Sequence, residues 1–415
     1  TNLLRSTDGF ANSPVDLNQD GITDETELGK YLIGGYSVSN DISQYPKHHP
    51  DQHAIIFDPN VNNKVISGHD GGLSRSINIK ANSVSWQSLN NGYNVTQFYT
   101  VSLHPDANDS RILGGTQDNG SPFFQFETVS GTTSSYDISS GDGAYAYLGT
   151  NYLTTSSQNG RVIKYDYDEN GEPTAFSYIA PSAATDQLFI HPYLVNPNNE
   201  NVVFYPSGNK LYRHNTMNLI PRNTSNSDGI STGWNELTNF AAPNGSIIST
   251  LEISGANPSN QLYFAAYFSS QPPAIYKVSN SSTATEAINI TDVSINLTNS
   301  NSAPPSGAYI HDIAIAEDNG NEVIAVISNY ETESIYYSND GGDNWTGVGG
   351  NLEPSDGNGP SVRTAVIAKT NSGEKTYFVG TSSGLYATNE LDGANTEWRL
   401  QGTNTIGKSV IEYLD

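Results

Sequence analysis

The chain contains no cysteine, which excludes disulfides, thiolate metal sites and cysteine nucleophiles. That absence suits a secreted bacterial protein that folds without an oxidation step. Cations are scarce too: 18 Lys and Arg stand against 43 Asp and Glu, a net charge of −25. Polyphosphates and anionic membrane surfaces are held by clustered Lys and Arg, so nucleic acid is not an expected partner. Apolar runs such as Val323–Ile327 stop after a handful of residues, far short of the roughly 20 that a membrane helix needs. Helical periodicity is almost missing; one short stretch around Glu25–Tyr31 carries it.

What the chain does have is Tyr, Gly and short apolar runs. With 25 Tyr and 10% aromatic residues it holds too much apolar payload to stay disordered. Charged residues make up only 15%, so Asn, Ser, Thr and Gly must cover most of the surface. One pattern recurs: a short apolar strand, a Pro/Asn/Asp turn, a second strand, a Gly-rich turn, a third strand, and often a Trp before the last. The first strands start near Ala54, Thr100, Ala144, Gln187, Ile248, Ile310, Thr364 and Val410, at spacings of about 43 to 62 residues. Four strands per repeat at such a period indicate an all-β fold, a single β-propeller over residues 1–415. Eight blades are preferred and seven is the alternative. The chain opens in mid-unit at Leu3–Gly9 and stops after the first strand of another, Val410–Leu414. Both ends are therefore expected to join in one composite blade, and the abrupt stop at Asp415 is expected of a fragment of a longer protein.

Ser338, Asp340, Gly342 and Trp345 fall in the pattern S-x-D-x-G-x-x-W. Its physics is that of a hairpin turn: the Asp accepts turn N–H groups, Gly supplies positive φ, and the Trp packs between sheets. Ser6-Thr7-Asp8-Gly9 is a degenerate copy. With the runs His49–His53, Gly68–Gly72, Gln97–Tyr99, Gly114–Gly120 and Gly141–Gly143, the chain resembles the Asp-box (BNR) repeat superfamily. Within it, the chain is similar to the sortilin-type propellers of large bacterial secreted proteins, most clearly over residues 49–143. The resemblance implies a propeller and an extracellular or bacterial cell-surface setting, and it implies no particular reaction. Sialidases of that superfamily need an Arg triad and an R-I-P motif; none of the eight Arg here stands in R-I-P.

Residues 16–27 carry the strongest chemical signal. Asp16, Asn18, Asp20, Asp24 and Glu27 stand at positions 1, 3, 5, 9 and 12 of an EF-hand-like loop, with Gly21 at position 6 and Ile22 offering its carbonyl at 7. Hard oxygen donors at alternate positions wrap a Ca²⁺. The loop sits in an insertion spanning 11–47, and Glu25–Ile33 is the expected exiting helix.

Two weaker constellations follow. His49, Asp51 and His53 alternate, so a strand would present them on one face as possible ligands for Zn²⁺ or a similar metal; Pro50 disturbs that geometry. Asp51, Asp70, Asp118, Asp142 and Asp312 stand beside inner strands or in their turns, where they either converge as an acid–base pair for glycoside cleavage or simply cap turns. The Tyr145/Tyr147 and Tyr336/Tyr337 pairs offer rings that stack on sugars or fill gaps between sheets.

The expected function is that of a calcium-stabilised binding or scaffold module for a glycan or protein. The alternative is a glycoside hydrolase or polysaccharide lyase using ring-mouth carboxylates or His. Removing Ca²⁺ with a chelator is expected to lower the melting temperature and to open new protease cleavage between Ala11 and Lys47, with a site affinity of about 10⁻⁴–10⁻³ M. Unchanged melting and cleavage would sink the calcium assignment.

Overall fold

The computed structural model describes residues 2–7, 9–11, 31–36, 42–93, 95–125, 134–222, 229–285, 289–297, 303–354, 358–370 and 372–415. The calcium loop and Asp8 lie outside the described residues. Two compact units form, Thr1–Gln97 and Phe98–Asp415. The regular elements among the described residues are β-strands and short 3-10 turns.

Seven antiparallel four-stranded sheets follow one another, each made of four consecutive strands, with a two-stranded sheet before them. Such serial meanders are the blades of a β-propeller, the fold expected from the repeat. Blades 1 to 7 span residues 52–88, 98–137, 143–178, 194–236, 247–292, 310–347 and 362–400. Blade 1 belongs to the first unit and blades 2 to 7 to the second. In the two-stranded sheet Asn2–Leu4 pairs antiparallel with Leu32–Gly35.

Three local expectations are corrected. Leu32 and Ile33 belong to a strand, so no exiting helix reaches Ile33. The inner strand expected at Gln187 is the two-residue Leu194–Val195, because Pro192 has no N–H to donate and His191 turns back to accept the N–H of Leu188. Val410–Leu414 forms no strand, so the composite blade is not built by ladder pairing there.

Six of the seven inner strands carry the same defect near their start. Each inserts one extra residue into the ladder with the second strand: His53, Tyr99, Ser249, His311 and Arg363 in blades 1, 2, 5, 6 and 7, and the Ala144–Tyr145 stretch in blade 3. A bulge leaves the extra residue unpaired in the ladder and turns it outward. In the second unit that freedom links neighbours. Thr100 Oγ1 donates to the Ala144 carbonyl at 2.8 Å, Ser249 Oγ to the Ile310 carbonyl at 2.8 Å, and His311 Nδ1 to the Arg363 carbonyl at 2.6 Å. The approach is close: a Cβ on Gly115 would stand 1.8 Å from the Ala144 carbonyl oxygen.

The core lies between adjacent sheets rather than at one centre. Blades 4 and 5 share Phe204, Phe240, Leu251 and Phe264, and blades 6 and 7 share Ile324, Val326, Ile367 and Trp398. All four Trp span such seams. Trp234, Trp345 and Trp398 donate their indole N–H to the carbonyls of Ile179, Val293 and Val348, each the residue just after the last strand of the preceding blade. Trp86 donates to Ile33 in the two-stranded sheet at 2.7 Å. That sheet thus stands to blade 1 as the outer strands of one blade stand to the next, in keeping with Leu3–Leu4 as an opening third strand.

The hairpin at 338–345 has the geometry its residue types require. Ser338 Oγ donates to Asp340 Oδ1 at 2.8 Å and accepts the Gly342 N–H at 2.8 Å, while Asp340 accepts the Asn344 N–H at 2.9 Å. Gly341 and Gly342 both sit at positive φ, 78° and 88°. In the degenerate copy, Ser6 Oγ accepts the Phe10 N–H at 2.8 Å, the same four-residue reach. Replacing Trp345 by Phe keeps an aromatic ring but orphans the Val293 carbonyl. Urea unfolding is expected to show a loss of about 1–3 kcal/mol; a loss below about 0.5 kcal/mol would show the indole bond to be incidental.

Candidate functional site

The inner strands of blades 5, 6 and 7 line an axial cavity of about 390 Å³. Blade 5 places Glu252 on it, blade 6 Asp312, and the segment 413–415 closes it with Tyr413 and Asp415. The bulge at His311 turns Asp312 toward blade 7. Its Oδ2 accepts the Thr364 hydroxyl at 2.9 Å and the Ala365 N–H at 3.1 Å, and its Oδ1 accepts the Ile313 N–H at 2.9 Å. Glu252 Oε1 accepts only its neighbour's N–H, that of Ile253 at 3.0 Å, among the described contacts. Asp415 Oδ2 accepts the Leu103 N–H at 2.6 Å.

These three carboxyls hold their protons tightly. Burial is the main cause for all of them; the charges of Asp312 and Asp415 add to it at Glu252, which is pushed up to about 8. Tyr145 and Tyr413 are driven up by the same burial and the same acidic neighbours. No Lys or Arg lines the cavity among the described residues.

The segment 411–415 lies against the inner strand of blade 7, where a further inner strand would stand, without joining a ladder. The Ile411 N–H donates to the Thr381 carbonyl at 3.0 Å and the Leu414 N–H to Thr364 Oγ1 at 3.2 Å. Arg363, the bulged residue of blade 7, pairs with Glu412. The Tyr413 ring meets Tyr145 of blade 3 edge-on at 6.3 Å. Gly380 makes room for the segment, since a Cβ there would stand 2.6 Å from Ile411 Cγ2.

A second recess, about 470 Å³, opens between blades 3 and 4. It is lined by Ser140, Ser157, Gln158, Asn159, Arg161 and Gln187 among others. The Gln158–Gly160 turn is braced by hydrogen bonds. Asn159 and Gly160 both adopt positive φ, the Asn159 N–H donates to the Phe189 carbonyl at 2.9 Å, and Tyr205 donates its hydroxyl to the Gly160 carbonyl at 2.7 Å. A side chain on Gly160 would stand 2.2 Å from that hydroxyl. His191 braces the same wall by donating Nε2–H to the Pro206 carbonyl at 2.8 Å, and burial holds its proton affinity down at about 4. Arg161 stands with its guanidinium 5.8 Å from the Tyr178 ring, and among the described residues it is the single charged member of the lining.

The residues singled out from sequence distribute as follows. Asp312 reaches the axial cavity. Asp118 and Asp142 meet in interlocked turns, Asp142 Oδ1 accepting the Asp118 N–H at 3.0 Å, with Asp118 at positive φ. Asp51 and Asp70 belong to the first unit: Asp70 pairs with His53, while Asp51 stands 4.0 Å from His49 Nδ1. His49, Asp51 and His53 do not converge, and no group of three His, Asp or Glu among the described residues is gathered as a metal site. The Tyr pairs divide between roles: Tyr336 is buried in the seam with Trp345, whereas Tyr337 donates to Glu322 and Tyr147 to Glu200. Glu252, Tyr413, Asp415 and the Gln158–Arg161 turn were not expected from sequence. The available signal for Glu252 was a lone acid inside the apolar strand Ile247–Ile253.

No family model matches the chain, and no curated protein matches its sequence. Among solved structures it is similar to YCF48 from Cyanidioschyzon merolae, at 15% identity over 81% of this chain and 94% of that one, with a TM-score of 0.42. It is also similar to the Myceliophteria thermophila Cps50 (Swd1) β-propeller domain, at 10% identity over 80% and 93%, TM-score 0.43. Saccharomyces cerevisiae Sqt1 matches at 13% identity over 78% and 79%, TM-score 0.45. Among the described residues no helix is long and apolar enough to cross a membrane.

The Glu252 carboxyl has a definite pH consequence. Its proton is held more tightly in the folded chain, at about 8, than in the unfolded one, at 4.5. Its contribution to stability is therefore complete below about pH 4.5 and is lost as pH rises through about 8. Glu252→Gln is expected to melt several degrees above the parent near pH 8.5 and to match it near pH 4.5. A melting difference that does not change with pH would contradict the assignment.

Proposed function

We propose that the chain is a binding module of the extracellular space or bacterial cell surface that takes a glycan, or alternatively a protein segment, in the recess between blades 3 and 4. The propeller fold supports a binding or scaffold role in general. The observation that carries the reading is the braced turn at Gln158–Gly160, which presents carboxamides and hydroxyls from a backbone that does not have to reorganise. Preorganised donors and acceptors of this kind match the hydroxyl pattern of a sugar without the ordering cost of a loose loop. In this reading Ca²⁺, held by Asp16, Asn18, Asp20, Ile22, Asp24 and Glu27, stiffens the insertion at 11–47. The hydrogen bonds of the 338–345 hairpin support kinship with Asp-box propellers.

The enzymatic alternative rests on Asp312 and Glu252, two proton-holding carboxyls on one cavity. Tyr413 and Asp415 line that same cavity, and the Asp312 oxygens are already taken up by hydrogen bonds from Thr364, Ala365 and Ile313. Binding is therefore the favoured reading.

A glycan array followed by calorimetry on the hits tests it. Gln158→Ala and Arg161→Ala are each expected to weaken binding about tenfold or more with unchanged circular dichroism, and no shortened product is expected after long incubation. Binding that survives both substitutions would remove the recess from the reading, and product release would favour the enzyme.

A further inference from the structure

We propose that residues 411–415 are a strap over the axial cavity of the second unit, released when the carboxyls beneath it ionise together. The inference goes beyond the binding reading and does not depend on it.

The strap is held by few bonds, each of which water can replace: two backbone donors, the Arg363–Glu412 pair, the Asp415 acceptor and one ring contact. What lies beneath it is acidic from every side. Blade 5 contributes Glu252; blade 6 contributes Asp312, with Glu317 at the rim, His311 in the bulge and Tyr309 before it. Blade 7 contributes Arg363, blade 3 Tyr145 and blade 2 Tyr99, and the strap itself brings Glu412, Tyr413 and Asp415. The one cation of this set, Arg363, is committed to Glu412, and His311 donates to the Arg363 carbonyl. Glu252, Asp312 and Asp415 line one shared space, and the nearby group whose positive charge would favour the Asp312 carboxylate is His311.

Three carboxylates cannot all be charged in such a space without separating or admitting water. Asp312 is fixed on its strand by three hydrogen bonds and Glu252 stands inside a seven-residue strand. Asp415 is the member on a segment outside any ladder, so the strap is what yields. Thr364 makes the coupling direct: its hydroxyl donates to Asp312 and accepts the Leu414 N–H. The Glu252 proton is held to about 8, so its charge joins the cluster as pH rises through that range. Release widens access to Glu252 and Asp312, which are partly exposed with the strap seated, and opens the cavity of about 390 Å³ from the strap side.

The absence of cysteine permits a single-site probe. A nitroxide on Val410→Cys, a position 51% exposed beside the strap, reports its mobility by electron paramagnetic resonance from about pH 6 to about pH 9.5. The label is expected to be immobile at the acid end and to gain a mobile component with a midpoint near pH 8, while Trp fluorescence stays constant. Glu252→Gln should abolish the transition. If that variant does not fold, Asp415→Asn, which removes the strap's own charge, should flatten it likewise. Gly380→Ala should mobilise the label already at about pH 6, because Ile411 loses its seat. Mobility independent of pH in the parent, or a transition unchanged in Glu252→Gln or Asp415→Asn, overturns the strap.

Discussion

The second unit depends on one repeated backbone defect, the single-residue bulge near the start of each regular inner strand. A perfect ladder would pair every N–H and carbonyl of the first two strands and leave nothing for the neighbouring sheet. The extra residue breaks that closure at the same point in blade after blade. It frees the carbonyl of Ala144 and of Arg363, and turns Ser249 and His311 toward the next blade. Bulges cost some ladder pairing, and the lateral hydrogen bonds offset it. They also bring chemistry to the axis, since Tyr145, Asp312 and Arg363 all stand at or beside a bulge.

The side-chain core repeats the same logic further out. Each apolar cluster belongs to two blades, so no sheet has an interior of its own. Stability is then carried by seams, and a substitution such as Leu251 or Ile367 to a smaller residue would be felt by two sheets at once. The buried Glu322, which accepts the hydroxyls of Tyr337 and Tyr377 and pairs with Lys375, is the polar version of such a seam between blades 6 and 7.

What was legible in the sequence is what short-range physics writes there. The 338–345 hairpin could be read to the level of individual hydrogen bonds because its donors and acceptors lie two to four residues apart. The four Trp could be placed between sheets because each precedes or opens a last strand. The first strands at Ala54, Thr100, Ala144, Ile248, Ile310 and Thr364 were visible as apolar runs bounded by turns. Gln187 misled because its apolar neighbours Leu188, Phe189 and Ile190 join no ladder, and Pro192 delays the strand. Val410–Leu414 has a strand's residues but joins no ladder. The axial carboxyls were half visible: Asp312 stood out, but its company with Glu252 and Asp415 arises from segments far apart in sequence, which no local pattern records. The Gln158–Arg161 turn had no signal beyond an Asn-Gly pair, the mark of any tight turn.

The indole bonds all point one way. In each case the donor lies downstream of its acceptor, by 50 to 55 residues. A chain emerging from the ribosome has therefore already laid down the carbonyl of Ile179, Val293 or Val348 before the Trp that will find it is made. Assembly in that order never leaves a Trp waiting for a partner not yet synthesised; the exposed member of an unfinished seam is a carbonyl, which water satisfies, rather than a large apolar ring. In the opposite direction, unfolding that starts from the last blade strips off Trp398 first and leaves Trp345, Trp234 and Trp86 docked on their earlier acceptors.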